Sequence, residues 1–143
     1  MEVRCYRVGR DEDAQALRES ILRVSQRLLV QTIKCGKARN ETFVKMIVEQ
    51  TTAAASTNNL LARRKEVDLL LRLAGTSQIS VALKTVGVVK GEPFELILAG
   101  EGGDVRAAEA SSLVGKERIL GAELGPADLG LIERAALLNA LRA

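Results

Sequence analysis

The sequence contains no histidine, no tryptophan and only three aromatic side chains among its 143 residues. Histidine is the commonest general base and metal ligand, so its absence excludes histidine-dependent triads and most zinc sites. The aromatic residues are too few for a platform on which successive bases stack; they are Tyr6, Phe43 and Phe94. We therefore expect an aliphatic core and no bound metal or cofactor.

Cysteine and long apolar runs are also scarce. Cys5 and Cys35 lie far apart in strand-like segments and have no metal-type spacing. The sequence predicts two small buried thiols in a reducing compartment, with a disulfide between paired strands as the alternative. No run approaches the roughly 18 apolar residues of a membrane span, and the N-terminus lacks a signal-peptide pattern. We therefore expect a cytoplasmic protein without a membrane partner.

The charge of the chain is unevenly distributed. Apolar residues make up 47% of the sequence and charged residues 27%, which is typical of a globular chain, and at this length we predict one domain over residues 1–143. Residues 51–91 carry six basic and two acidic side chains, whereas residues 92–143 carry five and nine. This gradient indicates two surfaces with different partners, or simply solvated faces.

Hydrophobic periodicity predicts an α+β fold, with a small antiparallel or mixed sheet of about four strands packed with about six helices. Alternating or β-branched segments predict the strands, at residues 2–8, 28–35, 94–99 and 118–124. Capping residues and helical spacing predict helices at about 11–24, 40–56, 60–74, 76–86, 104–113 and from 125 onward. The simplest opening arrangement pairs the first two strands around the first helix.

A search for catalytic motifs is negative. The Gly115-Lys116 pair is followed by Glu117 and lacks the glycine spacing of a phosphate-binding Walker loop. The serines have no base in the sequence pattern to activate them; those considered are Ser77, Ser80, Ser111 and Ser112. The sequence therefore predicts that the protein is not an enzyme, with a small-molecule enzyme built on Asp, Glu and Lys alone as an alternative.

The most informative segment runs from residue 59 to residue 90. Its first helix is predicted to end at a left-handed Gly75, and a second helix restarts at once and ends at Gly87. The restart places Thr76, Ser77 and Gln78 at a helix N-terminus, where free N–H groups and the helix dipole favour anions. Basic residues are frequent in the same segment; they include Arg63, Arg64, Lys65, Arg72 and Lys84.

Helical spacing also assigns faces to these two helices. In the first, the charged residues are predicted to face solvent; they are Arg63, Arg64, Asp68 and Arg72. In the second, the apolar residues are predicted to point inward; they are Ile79, Ala82, Leu83 and Val86. The segment is compatible with an anion-binding corner and equally with an ordinary helical hairpin. Ile79 is either part of the core or an apolar platform for a base.

One sequence pattern in this segment resembles a known family signature. It has the form Glu-x-x-Leu-Leu-Leu-x-Leu-x-Gly-x-x-Gln-Ile-x-x-Ala-Leu-x-x-x-Gly and is carried by Glu66, Leu69, Leu70, Leu71, Leu73, Gly75, Gln78, Ile79, Ala82, Leu83 and Gly87. It resembles the signature of the small kinase-binding, tRNA-binding subunit of the KEOPS (EKC) complex, in its archaeal form. The resemblance covers roughly residues 28–89 well and the two ends loosely.

This resemblance implies a function. KEOPS installs the threonylcarbamoyl group on the adenosine beside the tRNA anticodon. Its transferase subunit performs the chemistry, and an atypical kinase/ATPase subunit supports it. The small subunit binds that kinase and, in archaea, holds the CCA end of the tRNA; family members are α/β proteins with a small sheet. The alternative is a kinase-binding regulatory module that does not contact RNA.

The signature residues of the helical corner, together with the restarted helix N-terminus and the nearby cations, form the set of candidate RNA-binding residues: Arg63, Arg64, Arg72, Gly75, Thr76, Ser77, Gln78, Ile79 and Lys84. Two features depart from the family pattern. Family members usually have arginine immediately before Gln-Ile, where this chain has Ser77, and often a histidine near the start of the second helix, where it has none. We expect the missing charge to come from Arg63, Arg64, Arg72 or Lys84.

Overall fold

The fold is a four-stranded antiparallel sheet with helices on both faces. The computed structural model describes residues 1–9, 11–111, 113–114, 117–121 and 123–142. Within this part of the chain there are four strands and six helices, namely β1 (Glu2–Val8), α1 (Ala14–Val24), β2 (Leu29–Lys34), α2 (Glu41–Ser56), α3 (Lys65–Ala74), α4 (Ile79–Val86), β3 (Phe94–Gly100), α5 (Gly102–Ala110), β4 (Glu117–Arg118) and α6 (Pro126–Arg142). The predicted α+β class is confirmed.

The order of the strands differs from the predicted arrangement. The sheet order is β2–β3–β1–β4, and β3 pairs antiparallel with both β1 and β2. The prediction that the first two strands pair with each other is therefore wrong. Residues 94–99 of β3 are all buried, as expected for a central strand covered on both faces. Its side chains are apolar except for Glu95, whose buried carboxylate accepts a hydrogen bond from the Ala38 N–H at 2.8 Å, so the strand takes the centre of the sheet.

The elements near the C-terminus also differ in extent from the predictions. The strand expected at residues 118–124 is the two-residue β4, which pairs with Tyr6 and Arg7 of β1. The helix expected at 104–113 is α5, which begins and ends earlier. Three residues named in the sequence predictions lie outside the described residues, namely Ser112, Gly115 and Lys116, as does residue 122 of the predicted strand at 118–124.

Two hydrophobic cores lie on opposite faces of the sheet. The first joins the sheet to α2, α3, α4 and α6, and its largest buried side chains include Phe43, Ile47 and Leu71. The second joins it to α1 and α5 and includes Ile21 and Phe94. Burying one such side chain contributes about 1.5–3 kcal/mol to the stability of the fold. Aliphatic side chains can therefore stabilise these cores without further aromatic residues. The segment 59–90 belongs to the first face.

Helix caps define the starts of the first two helices. The Asp13 carboxylate accepts a hydrogen bond from the Ala16 N–H at 2.9 Å, and the Asn40 side chain accepts one from the Phe43 N–H at 2.8 Å. Each bond satisfies a backbone donor that has no partner within its own helix. The predicted starts of α1 and α2 are thereby confirmed to within a few residues.

The two cysteines are free and differ in environment. Cys5 is buried in β1, whereas Cys35 is exposed just after β2, so the predicted burial is wrong for Cys35. Burial, with a smaller contribution from Glu41, raises the pKa of the Cys5 thiol. Among the helices of the described chain, none combines the length and apolar character needed to cross a membrane.

The start of α6 is anchored by Asp128. Its carboxylate accepts hydrogen bonds from the Arg39 guanidinium and from the Gly125 N–H, the latter at 2.9 Å. These bonds lower the pKa of Asp128 from its ordinary value. The folded protein therefore keeps this carboxylate ionised at a pH where the unfolded chain takes up a proton. Its contribution to stability is present above the ordinary carboxyl pKa and is lost as the pH falls through the folded-state pKa.

We expect Asp128→Asn to lower the free energy of unfolding at neutral pH and to have little effect in acid. The measurement is urea unfolding of both proteins from pH 7 down to about pH 3, which spans the titration of carboxyl groups. Asp104→Asn is the matched control, because Asp104 is a first-turn acid of α5 without an ion pair in the described chain. A difference from wild type that does not shrink on acidification would contradict the prediction.

Candidate nucleic-acid interface

The end of α3 is a tight left-handed turn at Gly75. Its φ and ψ are 70° and 31°, as predicted for the residue that closes this helix. The Gly75 N–H donates to the Arg72 carbonyl and the Thr76 N–H to the Leu71 carbonyl, each at 3.2 Å, which is a Schellman motif. A residue with a Cβ in this left-handed conformation would lower the stability of the fold by about 1–2 kcal/mol. We call residues 75–79 the elbow.

The elbow presents the N-terminus of α4 to solvent. Ser77, Gln78 and Ile79 are exposed, and Thr76 is half-buried. The Thr76 hydroxyl accepts a hydrogen bond from the Gln78 N–H at 3.1 Å. The first three N–H groups of the helix, at residues 79–81, make no hydrogen bond within the described chain, and no acidic side chain lies in the first turn. The local geometry therefore favours an anion.

The exposed surface of α4 is more apolar than predicted. Ala82 and Val86 are buried as expected, but Ile79 is 51% exposed and Leu83 is 55% exposed, so their predicted inward orientation is wrong. The reason is that α4 packs mainly against one helix, α3, which covers only a narrow strip of its surface. Ile79 consequently presents an apolar surface beside the free N–H groups.

Two charged residues predicted to face solvent are instead buried. Asp68 is 0% exposed and Arg72 is 2% exposed, and their side chains form an ion pair at 2.7 Å. The carboxylate also accepts hydrogen bonds from the Thr51 hydroxyl at 2.6 Å and the Leu61 N–H at 2.9 Å. The guanidinium donates to the Ala135 carbonyl and the Asn139 side chain of α6, at 3.0 and 2.8 Å. Arg72 cannot contact RNA in this arrangement and is removed from the candidate set.

The burial of this pair follows from the position of α3. The helix lies between α2, α4, α6 and β2, and the run of leucines on both sides of Arg72 is buried as well. Because neighbouring elements cover most of the surface of α3, its central residues are interior, and an ion pair among them must be fully hydrogen-bonded. The amphipathic interpretation of α3 was therefore wrong for the face that carries Asp68 and Arg72.

Arg63 and Arg64 lie at the opposite end of α3 from the elbow. They precede the helix rather than forming part of it, and both are exposed. Arg64 makes an ion pair with Glu66 at 3.5 Å on the surface. Because α3 has ten residues, its two ends are about 15 Å apart. These arginines are available to a ligand, but they do not belong to the elbow.

Lys84 is exposed in the last turn of α4, about 7.5 Å along the helix axis from Ile79. The structure therefore brings together the five candidate residues of the elbow, Gly75 to Ile79. It places Lys84 at the other end of α4 and the two exposed arginines beyond the far end of α3.

The elbow also contains a residue that the sequence predictions missed. Arg134 of α6 is exposed, and its Nε donates a hydrogen bond to the Gly75 carbonyl at 2.7 Å. A Cβ at Gly75 would lie 3.0 Å from both Cδ and Nε of Arg134. No local pattern reveals this contact, because the two residues are 59 positions apart in the chain.

No group of three or more histidine, cysteine, aspartate or glutamate side chains in the described ranges could hold a metal ion. The chain matches no model of a known protein family, and no curated protein matches it either. The assignment of a function therefore depends on the residues described above and on the resemblance of the segment 59–90.

Proposed function

We propose that this protein is the small non-catalytic subunit of a KEOPS-type tRNA-modification complex, which binds and regulates the kinase/ATPase subunit and holds the CCA end of the tRNA. The observation that carries the proposal is the exposure of the elbow, where Ser77, Gln78 and Ile79 all reach solvent at a helix start with free N–H groups. The family signature in the sequence includes Gln78 and Ile79, whereas Ser77 departs from it. In this proposal the transferase is reached through the complex, in the cytoplasm.

The chemistry of the elbow suits a single-stranded RNA end. A splayed nucleotide needs phosphate contacts, hydrogen bonds to its sugar and base edges, and an apolar surface for its base. The free N–H groups of α4 supply donors for a phosphate, and the Gln78 amide offers both donors and an acceptor. Ile79, half exposed beside them, supplies a small apolar surface in a chain with few aromatics.

The remaining exposed basic residues act at longer range. Arg63, Arg64 and Lys84 are separated from the start of α4 by the lengths of α3 and α4, respectively. In the proposal they contact phosphates farther from the terminal nucleotides and carry no sequence information. Binding of this kind is modest in affinity and strongly dependent on salt.

A second candidate function is a kinase-binding regulatory module without an RNA contact. One observation favours it, namely the three exposed leucines of α6, Leu129, Leu137 and Leu141, although the exposed Glu133 lies between the first two. Exposed apolar side chains that lie close together on a surface mark sites of protein contact. The two candidates share the kinase and differ only in whether the elbow holds RNA.

Titration of tRNA with and without its CCA tail separates the two candidates. We expect removal of the tail to lower the affinity by about tenfold or more, the equivalent of about 1.4 kcal/mol, because the terminal nucleotides lose their contacts at the elbow. We expect about twentyfold weaker binding at 200 mM than at 50 mM salt for three phosphate contacts on a single strand. Both are measured by fluorescence anisotropy of labelled tRNA.

Co-purification from the source organism is the companion measurement. A kinase and a transferase that both co-purify support the KEOPS-type assignment. A kinase bound with unchanged strength, together with no measurable tRNA binding at low salt, would instead establish the second candidate and contradict the RNA contact. The absence of both kinase binding and tRNA binding would contradict the proposal as a whole.

A further inference from the structure

The elbow has no basic side chain of its own. Ser77 occupies the position at which the resembling family usually carries arginine, and the exposed basic residues of α3 and α4 lie elsewhere on these elements. Among the described residues, one basic side chain is hydrogen-bonded to the elbow, and it comes from α6. That residue is Arg134.

The guanidinium of Arg134 is held by one hydrogen bond, and its other N–H donors have no partner within the described chain. Its Nε donates to the Gly75 carbonyl at 2.7 Å, whereas its two terminal NH₂ groups make no hydrogen bond or ion pair within the described chain. The side chain is exposed. Four N–H donors are therefore free on a planar group that a backbone carbonyl already orients, and orientation before binding reduces the entropy lost on binding.

Gly75 also makes room for this arginine. A Cβ on Gly75 would approach Cδ and Nε of Arg134 to 3.0 Å, closer than ordinary van der Waals contact. The positive φ of Gly75 favours glycine, and a Cβ at this position would in addition displace the Arg134 side chain by a few tenths of an ångström. Two distant parts of the sequence build one surface at this point.

We propose that Arg134 binds a backbone phosphate of the RNA end held at the elbow and supplies there the positive charge that Ser77 lacks. This inference rests on the proposed function and adds to it a residue from α6 that the segment 59–90 does not contain. The ligand chemistry is a phosphodiester, for which the planar donors of arginine are well matched. The RNA-binding surface is then composite, formed by the elbow and α6.

The test is titration of labelled tRNA with wild type, Arg134→Gln and Arg23→Gln. Arg23 is a matched control, since it is exposed on α1 on the opposite face of the sheet and its removal changes the net charge equally. We expect Arg134→Gln to weaken binding about tenfold and to reduce the slope of log affinity against log salt by about 0.7. Arg23→Gln is expected to change neither quantity.

A rescue variant separates a phosphate contact from a structural role. Ser77 is exposed, so Ser77→Arg in the Arg134→Gln background returns a guanidinium to the elbow without returning the bond to Gly75. We expect it to restore most of the tRNA affinity. Recovery of affinity without recovery of thermal stability supports the inference, whereas an arginine important only for holding α6 would give no recovery.

Two outcomes overturn the inference and are distinguishable. If wild type binds tRNA with dependence on its tail and Arg134→Gln binds equally well, the inference fails while the proposed function stands. If wild type does not bind tRNA at all, the RNA part of the proposed function fails and the inference fails with it.

Discussion

Replacing Arg72 by methionine is expected to lower the free energy of unfolding by about 3–5 kcal/mol. The guanidinium is 2% exposed and pairs with the fully buried carboxylate of Asp68. Methionine fills much of the space but leaves that carboxylate without its cation and the Asn139 side chain without its donor. The loss is measured by urea unfolding followed by circular dichroism at neutral pH.

Two further variants isolate the cause of this loss. Arg64→Met removes an exposed ion pair with Glu66 and is expected to cost less than about 1 kcal/mol. Removing both buried charges, in Asp68→Leu with Arg72→Met, is expected to recover part of the stability that the single variant loses. Equal free energies of unfolding for Arg64→Met and Arg72→Met would contradict the predicted contribution of the buried Asp68–Arg72 pair to stability.

Reversing the charges of Arg63 and Arg64, by substituting both with glutamate, is expected to weaken tRNA binding about a hundredfold, or about 2.7 kcal/mol. Two phosphate contacts would be lost, so the salt slope should fall by about 1.4. The fold should be retained, since both side chains are exposed and the one ion pair broken, with Glu66, lies at the surface. Anisotropy titration and thermal unfolding measure the two effects separately.

The matched control reverses two charges on the opposite face of the sheet. Arg23→Glu with Arg106→Glu makes the same change in net charge on α1 and α5, where both side chains are exposed. Its tRNA affinity should fall by less than a few-fold, because its charges lie away from the proposed surface. If the two double variants lose affinity equally, the effect is one of net charge, and the role of Arg63 and Arg64 is contradicted.

Much of the fold was predictable because its signals are local. The caps at Asp13 and Asn40 and the glycine at position 75 act within a few residues, so periodicity located most elements to within a few positions. The order of the strands depends instead on which strand is buried on both faces of the sheet. The apolar side chains of β3, interrupted only by Glu95, carried that information, but the prediction placed β1 beside β2.

The candidate site was predictable only in part. The exposure of Ser77 and Gln78 follows from their position at a helix start, whereas the exposure of Ile79 depends on how little of α4 its neighbours cover. The burial of Arg72 depends on α6, which is distant in sequence and packs over α3. Arg134 was missed for the same reason, since spacing within one segment says nothing about a helix that arrives from elsewhere.

α6 makes hydrogen bonds to the two segments that flank α3. After the end of α3, Arg134 donates to the Gly75 carbonyl, and six residues before its start the Asn139 amide donates to the Asn59 carbonyl at 2.6 Å. α6 therefore links the segments on both sides of α3, and a shift of α6 along its axis would strain both hydrogen bonds at once.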